Sequence, residues 1–247
     1  MNETGIAGLS ASVLAQEIAD GRMSVVEVVE AHITRIEAVD PRLNAVVVPM
    51  FDDARRRAQE ADRLPTELRG RLHGVPITVK ECFDVTGTPS TAGLTARSRH
   101  RAKTDAPLIA SVRQAGGILL GKTNVSQLLM YVETDNPVYG RTNNPHDADR
   151  SPGGSSGGEA AIIAAGGSAL GLGTDVGGSV RVPAHGCGIH AFKPTPGLLS
   201  VAGTVDILGN AACSAIGLGG HPGSQRCGYQ PGVRCAVAAA GGSTADA

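Results

Sequence analysis

Residues 151–183, with the sequence SPGGSSGGEAAIIAAGGSALGLGTDVGGSVRVP, constrain the fold more than any other part of this chain. Two serine-bearing glycine clusters flank small apolar residues that predict a buried helix and strand. Glycine lacks a Cβ, so its backbone N–H groups can approach an oxyanion closely. The alternative is a flexible Gly/Ser linker, but a linker has no need of Asp175, Arg181 and Pro183 at fixed places. The pattern favours an oxyanion loop at 177–179 that carries its own nucleophile.

The apolar pattern upstream of this segment alternates between helix and strand periods. Ser24 and Glu27 form a capping box, and Asp40-Pro41 is expected to end that helix. The strand at 75–79 places Lys80 at its end, although Pro76 makes it imperfect as a strand. Helices are predicted at 10–20, 24–40, 51–64 and 106–114, a helix start at 124–130, and strands at 43–48, 75–79 and 117–120. This order predicts a layered α/β sandwich, with residues 135–156 as a long loop.

Charge and hydropathy exclude several classes of function. The formal net charge of −1 gives no basis for binding a phosphate backbone, and the basic run at 97–103 is predicted to be a solvated face. We therefore expect no nucleic-acid partner. The first residues lack the pattern of a secretory signal, which favours a cytoplasmic protein. The apolar stretch at 160–173 is too short for a bilayer that needs ~20 residues, so no membrane span is expected.

The five cysteines of the chain show neither CxxC spacing nor a Cys/His ligand pattern. We therefore predict no metal site and no cofactor. Cys82 lies near Lys80 in sequence, but no histidine accompanies it, and a buried inert thiol is the favoured interpretation.

Residues 116–123, GGILLGKT, formally satisfy the phosphate-binding loop pattern GxxxxGK[ST]. Such a loop follows a strand and opens a helix. Here a helix is predicted before the motif, and Ile118, Leu119 and Leu120 are predicted to be the strand itself. We interpret the match as coincidental.

Residues 153–184, with GGSSGG followed by TDVGGSVRVPA, resemble the amidase signature, and GVPITVKE at 74–81 resembles the lysine motif of that family. The similarity covers roughly residues 9–210 and is close to fatty-acid-amide-hydrolase-like amidases. The resemblance implies a mixed β-sheet core sandwiched by helices. It also implies a catalytic triad without histidine, in which Ser179 is the nucleophile, Ser155 relays its proton and Lys80 is the base.

The resemblance implies further roles around these three residues. A cis peptide bond is expected between Gly154 and Ser155, and Ser156 is expected to support the loop through hydrogen bonds. Asp175 and Arg181 are interpreted as structural supports of the loop that follows them. The oxyanion hole is expected to use the backbone amides of Val176, Gly177, Gly178 and Ser179.

The proposed role of Lys80 makes a physical demand. A lysine with a reference pKa of about 10.4 is protonated at neutral pH and cannot accept a proton. Burial at a strand end among Val75, Ile77 and Val79 would favour the neutral amine. An exposed Lys80 would be only a surface charge.

The composition changes after about Asn210. Residues 211–247 are dominated by Ala, Gly and Ser, with Asp246 the single acid, so we predict a partial amidase domain at 1–210 and a disordered or foreign tail. Since members of the resembling family are much longer, their C-terminal half is expected to be missing. The expected function is hydrolysis of a small-molecule amide. The alternatives are a glutamine amidotransferase A subunit that releases ammonia for acyl-tRNA, or an inactive fragment. A homodimer is left open.

Overall fold

One mixed sheet organises the protein. The computed structural model describes residues 5–205 and the strand 213–218. The strands are β1 Val46–Pro49, β2 Pro76–Lys80, β3 Ile118–Thr123, β4 Leu170–Asp175, β5 His190–Phe192 and β6 Cys213–Leu218; the helices are α1 Ala11–Ala19, α2 Val25–Leu43, α3 Phe51–Asp62, α4 Pro107–Gln114, α5 Gly157–Ala164 and α6 Arg181–Cys187. The sheet has the order β1-β3-β2-β4-β6-β5.

The centre of the sheet is parallel and its margins are antiparallel. β2 pairs in parallel with both β3 and β4, whereas β1, β6 and β5 run antiparallel to their neighbours. The predicted mixed sheet is therefore confirmed. Parallel strands end at the same edge of a sheet, and Lys80 lies opposite Thr123 in register. Pro76 is the first residue of β2, a position at which a missing N–H is tolerated.

The helices bury one apolar face against the sheet and against one another. α2 contacts α3, α5 and the central strands, while α5 contacts β2 and β4. Leu14, Val29, Ile33, Ile77 and Leu172 are fully buried in the resulting core. Small aliphatic side chains make up most of this core, as the scarcity of aromatic residues, 2% of the chain, requires.

α2 begins as predicted and ends later than predicted. Ser24 accepts a hydrogen bond from Glu27 N, and the Glu27 side chain accepts one from Ser24 N, so the capping box is confirmed. The expectation that Asp40-Pro41 ends the helix is wrong, because α2 continues to Leu43. Asn44, in the left-handed conformation, closes the helix, and its N–H donates to Asp40 O at 2.8 Å. Pro41 therefore lies within the last turn, where its missing N–H breaks only one helical hydrogen bond.

Replacing Ser24 with alanine is expected to lower the free energy of unfolding by about 1 kcal/mol, because the first turn of α2 loses its side-chain acceptor. Urea denaturation measures the change. Ser10→Ala is the matched control, since Ser10 caps α1 through a longer contact of 3.4 Å with Val13 N, and it should cost less. An equal loss in both variants would contradict the importance of the α2 box.

The region after β3 differs from the prediction. Residues 124–130 were expected to start a helix, but they contain only the 3-10 turn Gln127–Leu129, so this prediction is wrong. Leu128 and Leu129 both have φ of 59°, which interrupts any α-helix. Instead, the Asn124 side chain donates to Gly140 O at 2.9 Å and to Thr142 Oγ1 at 3.0 Å. These bonds attach residues 135–142, part of the predicted long loop, to the end of β3.

The phosphate-loop pattern at 116–123 does not form a phosphate loop. Residues 118–123 are β3 itself, as predicted, and Lys122 is fully buried within it. Its Nζ donates to Ser90 Oγ at 3.0 Å and to Pro89 O. These contacts hold the segment after β2 against β3.

β6 lies within the segment predicted to be a disordered or foreign tail, and it pairs with β4 along its whole length. The rest of that segment lies outside the described residues. The domain division near residue 210 therefore stays a prediction. In the described part of the chain, no helix is long and apolar enough to cross a membrane.

Candidate active site

Lys80 lies fully buried at the end of β2 and is the centre of the site. Its Nζ is 2.6 Å from Ser155 Oγ, 2.8 Å from Thr174 Oγ1 and 3.4 Å from Thr174 O. Within the described residues it forms no ion pair with a carboxylate. Burial lowers the pKa of Lys80 to about 8, because removal from water disfavours the ammonium. The environment required of a neutral lysine is therefore present.

These contacts suit both protonation states of Lys80. An ammonium has three N–H donors for the three oxygen atoms around it. A neutral amine has two donors, which match the two oxygen atoms of Thr174, and one lone pair, which can accept the Ser155 proton. Lys80 can therefore gain or lose a proton without rearranging its neighbours.

Ser155 reaches Lys80 from the loop that precedes α5. The peptide bond between Gly154 and Ser155 is cis, as the resemblance implies. The next residue joins the two glycine clusters, because Ser156 N donates to Ser179 O at 3.0 Å. The Ser156 hydroxyl donates to Thr174 O at 3.4 Å. These contacts place both serine-bearing loops beside the end of β4.

Asp175 organises the loop that carries Ser179. Its buried carboxylate accepts hydrogen bonds from Gly178 N at 2.8 Å, Val180 N at 3.0 Å and Arg181 N at 3.2 Å. The Arg181 guanidinium binds the same carboxylate with two contacts, at 3.0 and 2.8 Å. Burial raises the pKa of Asp175, but the bonds from Arg181 and the loop amides outweigh it and hold that pKa well below its usual range.

One of the backbone amides expected to bind the oxyanion already has an acceptor in this loop. The Gly178 N–H is already donated to Asp175, so Gly178 is not a free donor. By contrast, the backbone amides of Val176, Gly177 and Ser179 have no acceptor among the described residues. Ser179 is partly exposed, and its hydroxyl makes no hydrogen bond to Ser155 within the described chain. The structure thus brings Lys80 and Ser155 into contact, whereas the Ser179 loop is joined to this site through the backbone bond from Ser156 N to Ser179 O.

Four polar residues near Lys80 were not predicted from the sequence: Thr78, Thr123, Glu159 and Thr174. Thr174 contacts Lys80 directly. Glu159 is buried in α5 and accepts hydrogen bonds from Thr123 Oγ1 at 2.7 Å and from Thr78 Oγ1. The available signal was Glu159 itself, a lone acid in the apolar run GGEAAIIAA, since an acid within a buried helix requires polar partners.

Cys82 fits the interpretation of an inert thiol. It is free and buried, and burial raises its pKa to about 11. A thiol with that pKa is not a thiolate nucleophile at neutral pH. Among the described residues, no cluster of three His, Cys, Asp or Glu side chains could hold a metal ion.

Exposed apolar side chains border the two loops. Met130, Tyr131 and Val132 are 54%, 62% and 66% exposed, and Val176 is 55% exposed. A Cβ placed on Gly154 would lie 2.7 Å from Tyr131 O, so the 130–132 segment packs directly against the loop of Ser155. The surface next to the site is therefore apolar.

Comparison with known proteins gives consistent matches. The sequence model of the family described as Amidase matches residues 27–218. Fatty-acid amide hydrolase 2-B of Danio rerio is 45% identical over 201 residues, which cover 78% of this chain and 38% of that protein. Indoleacetamide hydrolase of Bradyrhizobium diazoefficiens is 46% identical over 186 residues, covering 74% and 35%.

Solved structures agree with the sequence matches. A fatty acid amide hydrolase superposes with a TM-score of 0.84 at 32% identity, covering 89% of this chain and 40% of that one. A peptide amidase from Stenotrophomonas maltophilia superposes with a TM-score of 0.81 at 29% identity, covering 87% and 46%. The chain thus spans less than half the length of each of these proteins.

Proposed function

This chain belongs to the amidase family, and we propose on that basis that it hydrolyses a carboxamide C–N bond with a triad of Lys80, Ser155 and Ser179. The observation that carries the proposal is the 2.6 Å contact between Lys80 Nζ and Ser155 Oγ at a fully buried site. A buried lysine next to a serine hydroxyl is a base for proton transfer, because desolvation keeps the amine available in its neutral form.

The reaction transfers a proton from Ser179 through Ser155 to Lys80 and then back to the substrate. Ser179 Oγ attacks the amide carbon as its proton passes to Ser155 Oγ, and the Ser155 proton passes to Lys80 Nζ. The tetrahedral intermediate collapses when the proton returns through Ser155 to the leaving nitrogen, which breaks the C–N bond and leaves an acyl-enzyme on Ser179. Water, activated by the same relay, then releases the acid and restores Ser179.

The oxyanion of this intermediate requires N–H donors. The amides of Val176, Gly177 and Ser179 are assigned this role because they have no acceptor among the described residues. Removing one such donor typically costs 10²–10³ in rate. Asp175, Arg181 and Ser156 act as supports, because their bonds fix the loop that presents these amides.

The substrate class follows from the surface beside the site and from the relatives. Met130, Tyr131, Val132 and Val176 offer exposed apolar area, which favours an apolar acyl group over a charged one. Relatives are named for fatty-acid amides and for indoleacetamide. We assign an amide with an apolar acyl part. Five further expectations stay predictions. They are the amidotransferase alternative, the inactive-fragment alternative, a homodimer, the absence of a nucleic-acid partner and a cytoplasmic location.

A fluorophosphonate probe tests the proposal directly, because it labels an activated serine by the chemistry of the first step. Wild-type protein should be labelled, and mass spectrometry of the labelled peptide should place the adduct on Ser179. The labelling rate should rise about tenfold per pH unit up to pH 8 and then level off, since Lys80 must be neutral and its pKa is about 8. Ser156→Ala is the matched control and should still be labelled.

An adduct on Ser155 or Ser156 would contradict the assignment of the nucleophile. A protein that unfolds cooperatively but takes no label would support the inactive-fragment alternative. Glutamine hydrolysis that appears only with a partner subunit would favour the amidotransferase alternative.

A further inference from the structure

Glu159 is a buried carboxyl group on the same side of the sheet as Lys80. It projects from the first turn of α5, and Thr78, which donates to it, precedes Lys80 by two residues on β2. Residues two apart on a strand share a face. Thr123, its second donor, lies opposite Lys80 in register. Glu159 and Lys80 therefore share one buried compartment of the fold.

We propose that Glu159 is the positioning residue for Lys80, because its carboxylate supplies the negative charge that stabilises the ammonium formed when Lys80 accepts the proton from Ser155. This inference rests on the proposed function. It assigns Glu159 an electrostatic role, exerted through Lys80 without touching the substrate.

The other charges around Lys80 are committed elsewhere. Asp175 at the end of β4 also favours the ammonium, but its carboxylate is neutralised by the two contacts from Arg181. Cys82, just beyond β2, keeps a neutral thiol at physiological pH because burial raises its pKa to about 11. Neither of the two nearby acids, Glu81 and Glu159, forms an ion pair among the described residues, and the Glu81 carboxylate accepts hydrogen bonds from Thr91 N, Ala92 N and the Tyr139 hydroxyl. Glu159 is the acid whose partner Thr78 lies on the same face of β2 as Lys80.

Glu159 and Lys80 shift each other's pKa in opposite directions. Burial raises the pKa of Glu159 to about 7, while the hydroxyl bonds and Lys80 lower it. Burial lowers the pKa of Lys80 to about 8, while Cys82, Asp175 and Glu159 raise it. Both groups can therefore change their protonation state near physiological pH, and groups coupled in this way titrate as a pair.

Two variants separate the charge of Glu159 from its shape. Glu159→Gln keeps the length and the hydrogen-bonding capacity toward Thr78 and Thr123 but removes the charge. Glu159→Asp keeps the charge but shortens the side chain by one methylene. An electrostatic role predicts a lower Lys80 pKa in Glu159→Gln and a nearly unchanged Lys80 pKa in Glu159→Asp. A merely structural role predicts the reverse.

The readout is the ionisation of Lys80, which needs no catalytic activity. The chain contains four lysines, Lys80, Lys103, Lys122 and Lys193, so protein labelled with ¹³C at the lysine ε-carbon gives one NMR signal for each. Lys80→Met identifies the Lys80 signal. We expect the Lys80 midpoint to fall by about one pH unit in Glu159→Gln and to stay within a few tenths of the wild-type value in Glu159→Asp. An unchanged midpoint in Glu159→Gln overturns the proposal.

A second measurement covers the case in which Glu159→Gln does not fold. In wild-type protein labelled at the glutamate carboxyl carbon, the signal that is lost in Glu159→Asp should show a second inflection at the Lys80 midpoint, and the Lys80 signal should show one at the Glu159 midpoint. Two independent single-step curves overturn the proposal. Neither outcome depends on fluorophosphonate labelling, so failure of this inference is distinguishable from failure of the proposed amidase activity.

Discussion

Lys80→Met is expected to lower the rate of amide hydrolysis, or of fluorophosphonate labelling, by about 10⁴-fold while the protein stays folded. Methionine fills the volume of the lysine chain but cannot accept the Ser155 proton. Losing the bonds to Ser155 and Thr174 costs stability, whereas removing a desolvated amine recovers it. We therefore expect the free energy of unfolding at pH 7 to change little. Single-turnover labelling and urea denaturation measure the two effects.

The pH dependence of stability gives this variant a second signature. Lys80 has a pKa of about 8 in the folded protein and 10.5 as its reference value. Between pH 8 and pH 10.5 the unfolded chain binds more protons at this lysine than the folded protein does. The free energy of unfolding therefore rises with pH over this range. This contribution of Lys80 to stability is lost as pH falls through 8. The variant should lack that part of the rise. Lys103→Met, at an exposed site, is the control and should behave as wild type; a loss of activity below tenfold in Lys80→Met would contradict the role of the base.

Gly158→Ala is expected to lower the free energy of unfolding by about 3 kcal/mol, the upper end of the usual cost of overpacking. A Cβ at this position would lie 2.4 Å from Asn124 N, 2.7 Å from Asn124 O and 2.8 Å from Ala45 O. All three atoms are backbone, so no side chain can rotate away. The first turn of α5 must shift, and Ser155, just before it, shifts with it.

The matched control for this variant is Gly177→Ala. A Cβ on Gly177 meets nothing within 4 Å. The free energy of unfolding of Gly177→Ala should therefore stay within about 0.5 kcal/mol of the wild-type value. Thermal and urea unfolding of both variants test the comparison. Equal stability of the two variants would show that α5 does not approach β3 as closely as described.

The position of Lys80, the proposed base, and its strand were predictable because two local signals coincide there. An apolar run bounded by Gly74 and by the charged pair Lys80-Glu81 identifies β2, and the strand end fixes where Lys80 emerges. The capping box of α2 was predictable for the same reason, since Ser24 and Glu27 act within one turn. The polar motif around Ser155 and Ser179 was recognised through its resemblance to a family rather than through periodicity.

The remaining features depend on particular hydrogen bonds that no residue pattern specifies. Pro41 predicts a helix end from local sterics, but α2 continues to Leu43. There the Asn44 N–H donates to Asp40 O, and the Asp40 carboxylate accepts from Ala45 N. Likewise, Gly178 resembles an oxyanion donor in sequence, whereas the conformation of the loop directs its N–H to Asp175. No local pattern indicates that Thr78 and Thr123 lie beside Glu159, because 81 and 36 residues separate them from it.

The position of β2 between β3 and β4 also means that the surroundings of Lys80 are completed by strands synthesised at different times. β3 is made before β4, so the first parallel pairing leaves the other side of β2 open to water. Residues 170–175 later add the next strand and bring Thr174 to the Lys80 amine, which also contacts Ser155. A nascent chain that ends before residue 170 lacks β4 and Thr174, so its Lys80 should be less buried and its pKa closer to the reference value. The lowered pKa of this lysine is therefore a property that the chain acquires late in synthesis.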